Sequence, residues 1–166
     1  MRNALFYALI IALSSLNLFA QDPDLVLEKG VAPNKGIDAV YAQFSEAYKT
    51  LDTAKVTALY TENAAYLPPN NNILNGRDEI RPTFQSFFDW IKKEGRTMTI
   101  SFNIVQRMVD DKLGYDVGIY TIRQYKDGKE VSKGSGKFFV AAVREKDGKW
   151  RFQVDGYSDL KPPAKQ

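Results

Sequence analysis

Apolar residues from Ile37 onward recur at spacings of three and four: Ile37, Val40, Tyr41, Phe44, Tyr48 and Leu51 form one stripe and predict an amphipathic helix. Asp52 is placed to cap a second, short helix running through Tyr60. Ala64 to Leu67 predicts a brief strand that stops at Pro68-Pro69, because proline cannot donate to a ladder. After the polar loop Asn70 to Gly76, the acidic first turn Asp78-Glu79 opens a third helix, with Ile80, Phe84, Phe87, Phe88 and Ile91 on one face. Pro82 predicts a kink near Arg81.

Beyond Gly95 the period changes to two. Met98, Ile100, Phe102 and Ile104 alternate with Thr97, Thr99, Ser101 and Asn103, the pattern of a half-buried strand. Three more strands are predicted over Leu113 to Tyr125, Val131 to Glu145 and Trp150 to Tyr157, joined by Lys126-Asp127-Gly128-Lys129 and Lys146-Asp147-Gly148-Lys149. Asp-Gly between alternating segments is a strong hairpin signal. Gly134 and Gly136 suggest a bulge that curves the third of these strands. Helices early and a meander late predict an α+β fold, with helices on one face of a bent sheet.

The first twenty residues follow another logic. Arg2, the apolar run Ala4 to Leu13 and the small residue Ala20 read as a secretory signal peptide, residues 1–20, cleaved after Ala20. The expected location is secreted or periplasmic, with no membrane association after cleavage. Residues 21–36 read as an extended, loosely packed leader, and 161–166 as a disordered tail. The chain of 166 residues, 44% hydrophobic, suits one domain, taken as 37–160.

Composition removes several chemistries. With no Cys and no His, there is no lipoprotein anchor at the cleavage site, no cysteine nucleophile, no Ser-His-Asp triad and no His-ligated zinc. The net charge of +3 comes from 23 basic and 20 acidic residues interspersed along the chain, not gathered in a stripe, so nucleic acid is not an expected partner. Neither a calcium loop nor a phosphate-cradling glycine motif is present; no metal and no cofactor is expected.

The helix Tyr41 to Leu51, the run Leu59-Tyr60-Thr61-Glu62-Asn63-Ala64, Gly76-Arg77-Asp78-Glu79-Ile80, and Trp150-Arg151-Phe152 followed by Asp155-Gly156-Tyr157-Ser158 resemble the nuclear transport factor 2-like superfamily, especially its SnoaL-like and ketosteroid-isomerase-like domains. The resemblance covers Ile37 to Leu160. It implies a cone-shaped roll: three N-terminal helices packed on a strongly curved antiparallel sheet, with a pocket at the open end. In the steroid isomerases the short strand after the second helix carries a carboxylate base, and a gapless match puts Pro68 there. The hydrogen-bonding tyrosine of the first helix falls on Phe44, although a shift of one turn would bring Tyr41 or Tyr48 into the role. Proline moves no proton, so ketosteroid-isomerase chemistry is not expected.

Within that fold, acid–base work falls to Asp155, Asp116, Asp89 or tyrosine hydroxyls. Asp89, beside Lys92 and Lys93, reads as solvated and Asp116 as a turn or edge residue, which leaves Asp155 as the catalytic candidate. Tyr48, Tyr66, Phe84, Phe102, Tyr120 and Phe138 are the expected pocket residues, with Tyr66 partly exposed at a mouth framed by Pro68-Pro69. Trp90 and Trp150 read as packing residues and Arg123 as an exposed strand residue. Two functions fit. One is an exported domain that binds a small hydrophobic ligand or a protein partner; the other is an isomerase- or cyclase-type enzyme using Asp155 and a tyrosine. A filled cone argues for the first, and a cavity with Asp155 buried beside a tyrosine hydroxyl for the second. Strands apolar at consecutive positions, Ile119 to Ile122 and Phe138 to Val143, imply cover on both faces and hence a homodimer.

Overall fold

The computed structural model describes residues 24–160; the expected signal peptide, 1–20, and tail, 161–166, lie outside the described residues. The order is β1 (Leu25–Leu27), α1 (Lys35–Thr50), α2 (Thr53–Ala58), β2 (Tyr60–Leu67), β3 (Leu74–Asn75), α3 (Gly76–Lys93), β4 (Thr97–Val109), β5 (Leu113–Lys126), β6 (Lys129–Arg144) and β7 (Trp150–Asp159). Seven strands form one sheet in the order β1-β4-β5-β6-β7-β2-β3. The α+β cone is present, with three helices against a curved sheet. Its ladders are antiparallel except at β1 with β4 and β2 with β7, which run parallel.

Local chemistry accounts for the elements. Asn34 caps α1 by accepting from the Gly36 and Ile37 N–H groups, and Asp52 caps α2 by accepting from Lys55. Leu51 ends α1 in the left-handed region, φ 51°, and still turns its side chain into the core. At the start of α3, Glu79 accepts from the Asn75 N–H at 2.7 Å. The apolar stripes of α1 and α3 are buried as predicted, except that Phe87 is half-buried.

Four local expectations are corrected. Part of the supposed loose leader is β1, whose Leu25 is buried and which pairs with Phe102 to Ile104. Helix α2 ends at Ala58, and β2 begins at Tyr60, four residues before the expected Ala64. A further short strand, β3, precedes α3 and pairs with β2. Gly134 and Gly136 lie in regular register with Ile122 and Tyr120, so they make no bulge. Gly136 has another reason to be glycine: an added Cβ would sit 2.4 Å from the Tyr120 ring, which lies across it. Gly118 does the same for Phe138 on the neighbouring strand, where a Cβ would meet the ring at 2.8 Å.

The bulges lie elsewhere, and they decide what faces inward. Between β4 and β5 the register slips at Val105, so after Ile104 the next inward residue is Arg107. Between β6 and β7 it slips at Gln153, so after Phe152 the next inward residue is Asp155. An extra residue in one strand reverses the two-residue alternation beyond it. Each bulge therefore turns one charged side chain into the cone.

Candidate active site and ligand cavity

The cone is hollow. A cavity of about 390 Å³ is lined by Tyr41, Phe44 and Tyr48 of α1, Thr83, Phe84 and Phe87 of α3, and the inner face of the sheet. The sheet contributes Tyr66 from β2, Ile100 and Phe102 from β4, and Tyr120 and Ile122 from β5. Phe138 and Val140 of β6 join Phe152, Asp155, Tyr157 and Asp159 of β7 to complete it. The wall is predominantly aromatic because inward positions on facing helices and strands carry rings that meet edge-on or tilted, as Phe44 does with Phe84 and Phe102.

All six residues expected to line a pocket, Tyr48, Tyr66, Phe84, Phe102, Tyr120 and Phe138, stand around this cavity together with Asp155. Tyr66 is not at an exposed mouth, however. The residue is 5% exposed, and its ring packs on Tyr60, Phe84 and Tyr157. Pro68 is buried, and neither proline of the corner lines the cavity. The corner ends β2 without framing an entrance.

Asp155 is the polar centre of the cavity. The parallel pairing of β2 with β7 sets it beside Tyr66, and the buried Tyr60 hydroxyl donates to its Oδ2 at 2.6 Å. Burial pushes the carboxyl up to about 6 by penalising its charged form, and the Tyr60 hydrogen bond offsets part of that rise. Tyr60, Tyr66 and Tyr48 all have raised pKa values, first from burial and then from neighbouring acidic groups, Asp155 among them. At the other side Tyr120 donates to the exposed Asp159 at 3.1 Å. The Tyr41 hydroxyl is buried without a hydrogen bond of good geometry. Burial and then the Asp116 carboxylate raise its pKa.

Asp116 corrects the expectation of a turn or edge residue. It lies within β5 at 1% exposure and meets its cross-strand partner Arg107 in a two-pronged ion pair of 2.7 and 2.9 Å. Arg107 also donates to Asp38 Oδ1 at 2.6 Å, while Asp38 Oδ2 accepts from the Asn34 N–H at 3.0 Å. Burial opposes the Arg107 charge, but the two aspartates more than offset it and raise its pKa. The cluster locks the start of α1 onto β4 and β5. Asp89 is exposed and accepts from Gln85. Trp90 is 43% exposed, stacks on Phe87 and lies under the Arg96 guanidinium at 5.3 Å. Trp150 packs on Gly36, where a Cβ would be 2.1 Å from its ring. Arg123 is paired with Glu130 in an exposed ion pair. Among the described residues no group of three or more Asp, Glu, His or Cys is placed to hold a metal.

The sequence reading missed Tyr60, Tyr157 and Asp159. The sequence pattern carries the second helix through Tyr60, whereas α2 ends at Ala58 and Tyr60 opens β2; its role depends on a partner 95 positions away.

A family model described as the SnoaL-like domain matches residues 37–158. The chain belongs to the SnoaL-like domain family. No curated protein matches it. Among solved structures, a ketosteroid isomerase-like protein from Erwinia carotovora atroseptica is 16% identical, covers 77% of this chain and 96% of its own, and superposes with a TM-score of 0.61. A nuclear transport factor 2-like protein with a cystatin-like fold from Novosphingobium aromaticivorans is 14% identical over 78% of this chain and 83% of its own, with a TM-score of 0.65. A candidate dehydratase of the same family from Streptomyces avermitilis is 14% identical over 77% and 96%, with a TM-score of 0.63. At these identities the likeness is one of fold.

Proposed function

We propose that this SnoaL-like domain is exported and binds a small hydrophobic molecule inside the cone. The observation that carries the reading is the aromatic-walled cavity of about 390 Å³, which fits the size and lining of small-molecule sites. A neutral solvatochromic dye titrated into the protein should bind with a blue-shifted emission. Val140→Trp, which places a large ring in the cavity, should abolish that shift. Equal binding by the wild type and Val140→Trp would sink the reading.

A second reading is favoured by the Tyr60–Asp155 contact. A hollow cone with a buried carboxylate beside a tyrosine hydroxyl is the arrangement set out above for an isomerase- or cyclase-type enzyme. A carboxyl raised to about 6 is a stronger base than an ordinary aspartate once ionised. The binding reading comes first because the cavity alone supports it, whereas proton transfer also requires a reacting atom placed against Asp155. Ketosteroid-isomerase chemistry is not proposed, since Pro68 has no carboxylate. Solvent deuterium incorporation into a bound cyclic ketone, lost in Asp155→Asn, would establish the second reading; its absence over a panel of ketones would dismiss it.

Export rests on the sequence of residues 1–20, and mass spectrometry of secreted or periplasmic protein should find a chain starting at or near Gln21. Self-association rests on the outer face of the sheet, where Phe139 is 45% exposed and stacks on Tyr115 with their centroids 5.9 Å apart. A homodimer would cover it. Sedimentation should give a dimer at micromolar concentration and a monomer for Phe139→Glu; a monomeric wild type would end the proposal.

A further inference from the structure

The cavity has an unusual charge balance. Its wall contains two carboxylates, Asp155 and Asp159, and no Lys or Arg. The nearby cation Arg107 is already held by Asp116 and Asp38. Among the described residues Asp155 makes no ion pair; its hydrogen bond comes from the neutral Tyr60 hydroxyl. A buried carboxylate without a cation is costly to maintain, and proteins ordinarily pair such groups. Here the compensating charge is missing from the protein, and the space where it would stand is open.

We propose that the ligand supplies it: the cavity binds a hydrophobic organic cation, an ammonium whose nitrogen pairs with Asp155 and whose apolar body packs on the aromatic wall. The inference rests on the binding reading above and specifies the charge of the molecule bound. Two independent features of the wall agree. The carboxylate has already been desolvated by folding, so a cation meets it without removing its water again. The rings of Tyr41, Phe44, Tyr48, Phe84, Phe102 and Phe152 surround the same space, and aromatic faces attract cations, most strongly out of water. An anionic ligand would meet Asp155 and Asp159 with no basic group to offset them. A neutral ligand would leave Asp155 uncompensated.

Titration follows from the surroundings of Asp155. The groups that face it are Tyr41 and Tyr48 of α1, Tyr60 and Tyr66 of β2, Tyr120 of β5, and Tyr157 and Asp159 of β7. α3, β4 and β6 contribute only Thr83 and apolar side chains to the cavity. Every one of those tyrosines has a raised pKa, so all stay neutral near pH 7. Asp155 ionises at about 6, and cation binding should therefore weaken as pH falls through that value. Binding of a neutral molecule should not weaken.

The test uses three probes that share one ring system: naphthylmethylamine, naphthylmethanol and naphthoate, titrated calorimetrically into the protein near neutral pH. The amine should bind at least about tenfold more tightly than the alcohol, as expected for a desolvated charge contact, and naphthoate should bind weakest. In Asp155→Asn, with its fold checked by circular dichroism, the amine should lose most of its advantage over the alcohol while the alcohol is unchanged. In the wild type, lowering the pH to about 5 should reduce amine affinity roughly tenfold, since one pH unit below a pKa leaves about a tenth of the group ionised. An amine no tighter than the alcohol overturns the cation inference and leaves the cavity reading standing, as does an equal loss of both in Asp155→Asn. Failure of all three probes to bind overturns the cavity reading and this inference with it.

Discussion

Asp116 and Asp155 are both buried aspartates on the inner face of one sheet, and each depends on a bulge. The slip at Val105 brings Arg107 to Asp116; the slip at Gln153 brings Asp155 itself inward. The outcomes are opposite. Asp116 is matched by a guanidinium that is also fixed by Asp38, so its charge is consumed in joining α1 to the sheet. Asp155 has a tyrosine hydroxyl and an open cavity. Tyr41 lines the cavity and is coupled electrostatically to both aspartates, which places the two sites on either side of one ring. A buried acid with its counter-ion is structural; one without it remains available to a ligand or a proton.

The largest test of this contrast is Asp116→Ala. Removing one partner of a buried pair leaves Arg107 without its two-pronged acceptor and should cost about 3–5 kcal/mol, read as a lower urea midpoint at unchanged m-value. A loss below about 1 kcal/mol would mean that Asp38 alone neutralises Arg107 and that the cluster is not the clamp described.

Asp155 should behave in the opposite sense. Its folded pKa of about 6 lies above the unfolded value near 3.9. Between those values the folded state holds a proton that the unfolded state has lost, so stability should fall as pH rises from about 4 to about 6. Two units at about 1.4 kcal/mol each make the fall roughly 3 kcal/mol. Asp155→Asn should abolish that slope and be more stable than the wild type near pH 7. Parallel pH profiles for the two proteins would contradict an uncompensated charge.

A smaller effect is expected from Tyr60→Phe. The hydroxyl stabilises the ionised carboxylate, so its loss should cost about 2 kcal/mol above pH 7 and less near pH 4. It should also move the wild-type pH midpoint upward from about 6. A midpoint that moves down would show that the hydroxyl serves the protonated acid instead. The smallest effect calibrates the others. Glu130 also bonds an arginine, Arg123, but on the surface, where solvent competes; Glu130→Ala should leave the urea midpoint unchanged within error. A clear loss there would remove burial as the reason for the contrast.

Much of the fold could be read from periodicity. The stripes of α1 and α3, the alternation of Met98 to Ile104 and the two Asp-Gly hairpins report local burial, and each element carries its own signal. The expected cavity aromatics could be read as well, because a ring at an inward position of a strand or helix faces the cone whatever its partners are. The aspartates could not. Counting by twos from Phe152 would bury Val154 and expose Asp155, and from Ile104 would expose Arg107; one extra residue in each ladder inverts both.

From its own sequence the chain determined which stretches coil, which extend and where they turn, since these follow from side-chain spacing and from glycine, proline and capping residues within a few positions. The tertiary structure decided the chemistry. Whether an acid is a clamp or a vacant charge depends on contacts such as Tyr60 with Asp155, 95 positions apart, and Arg107 with Asp38, 69 apart. No local pattern encodes such distances, because the energy of a buried charge is set by what surrounds it in three dimensions.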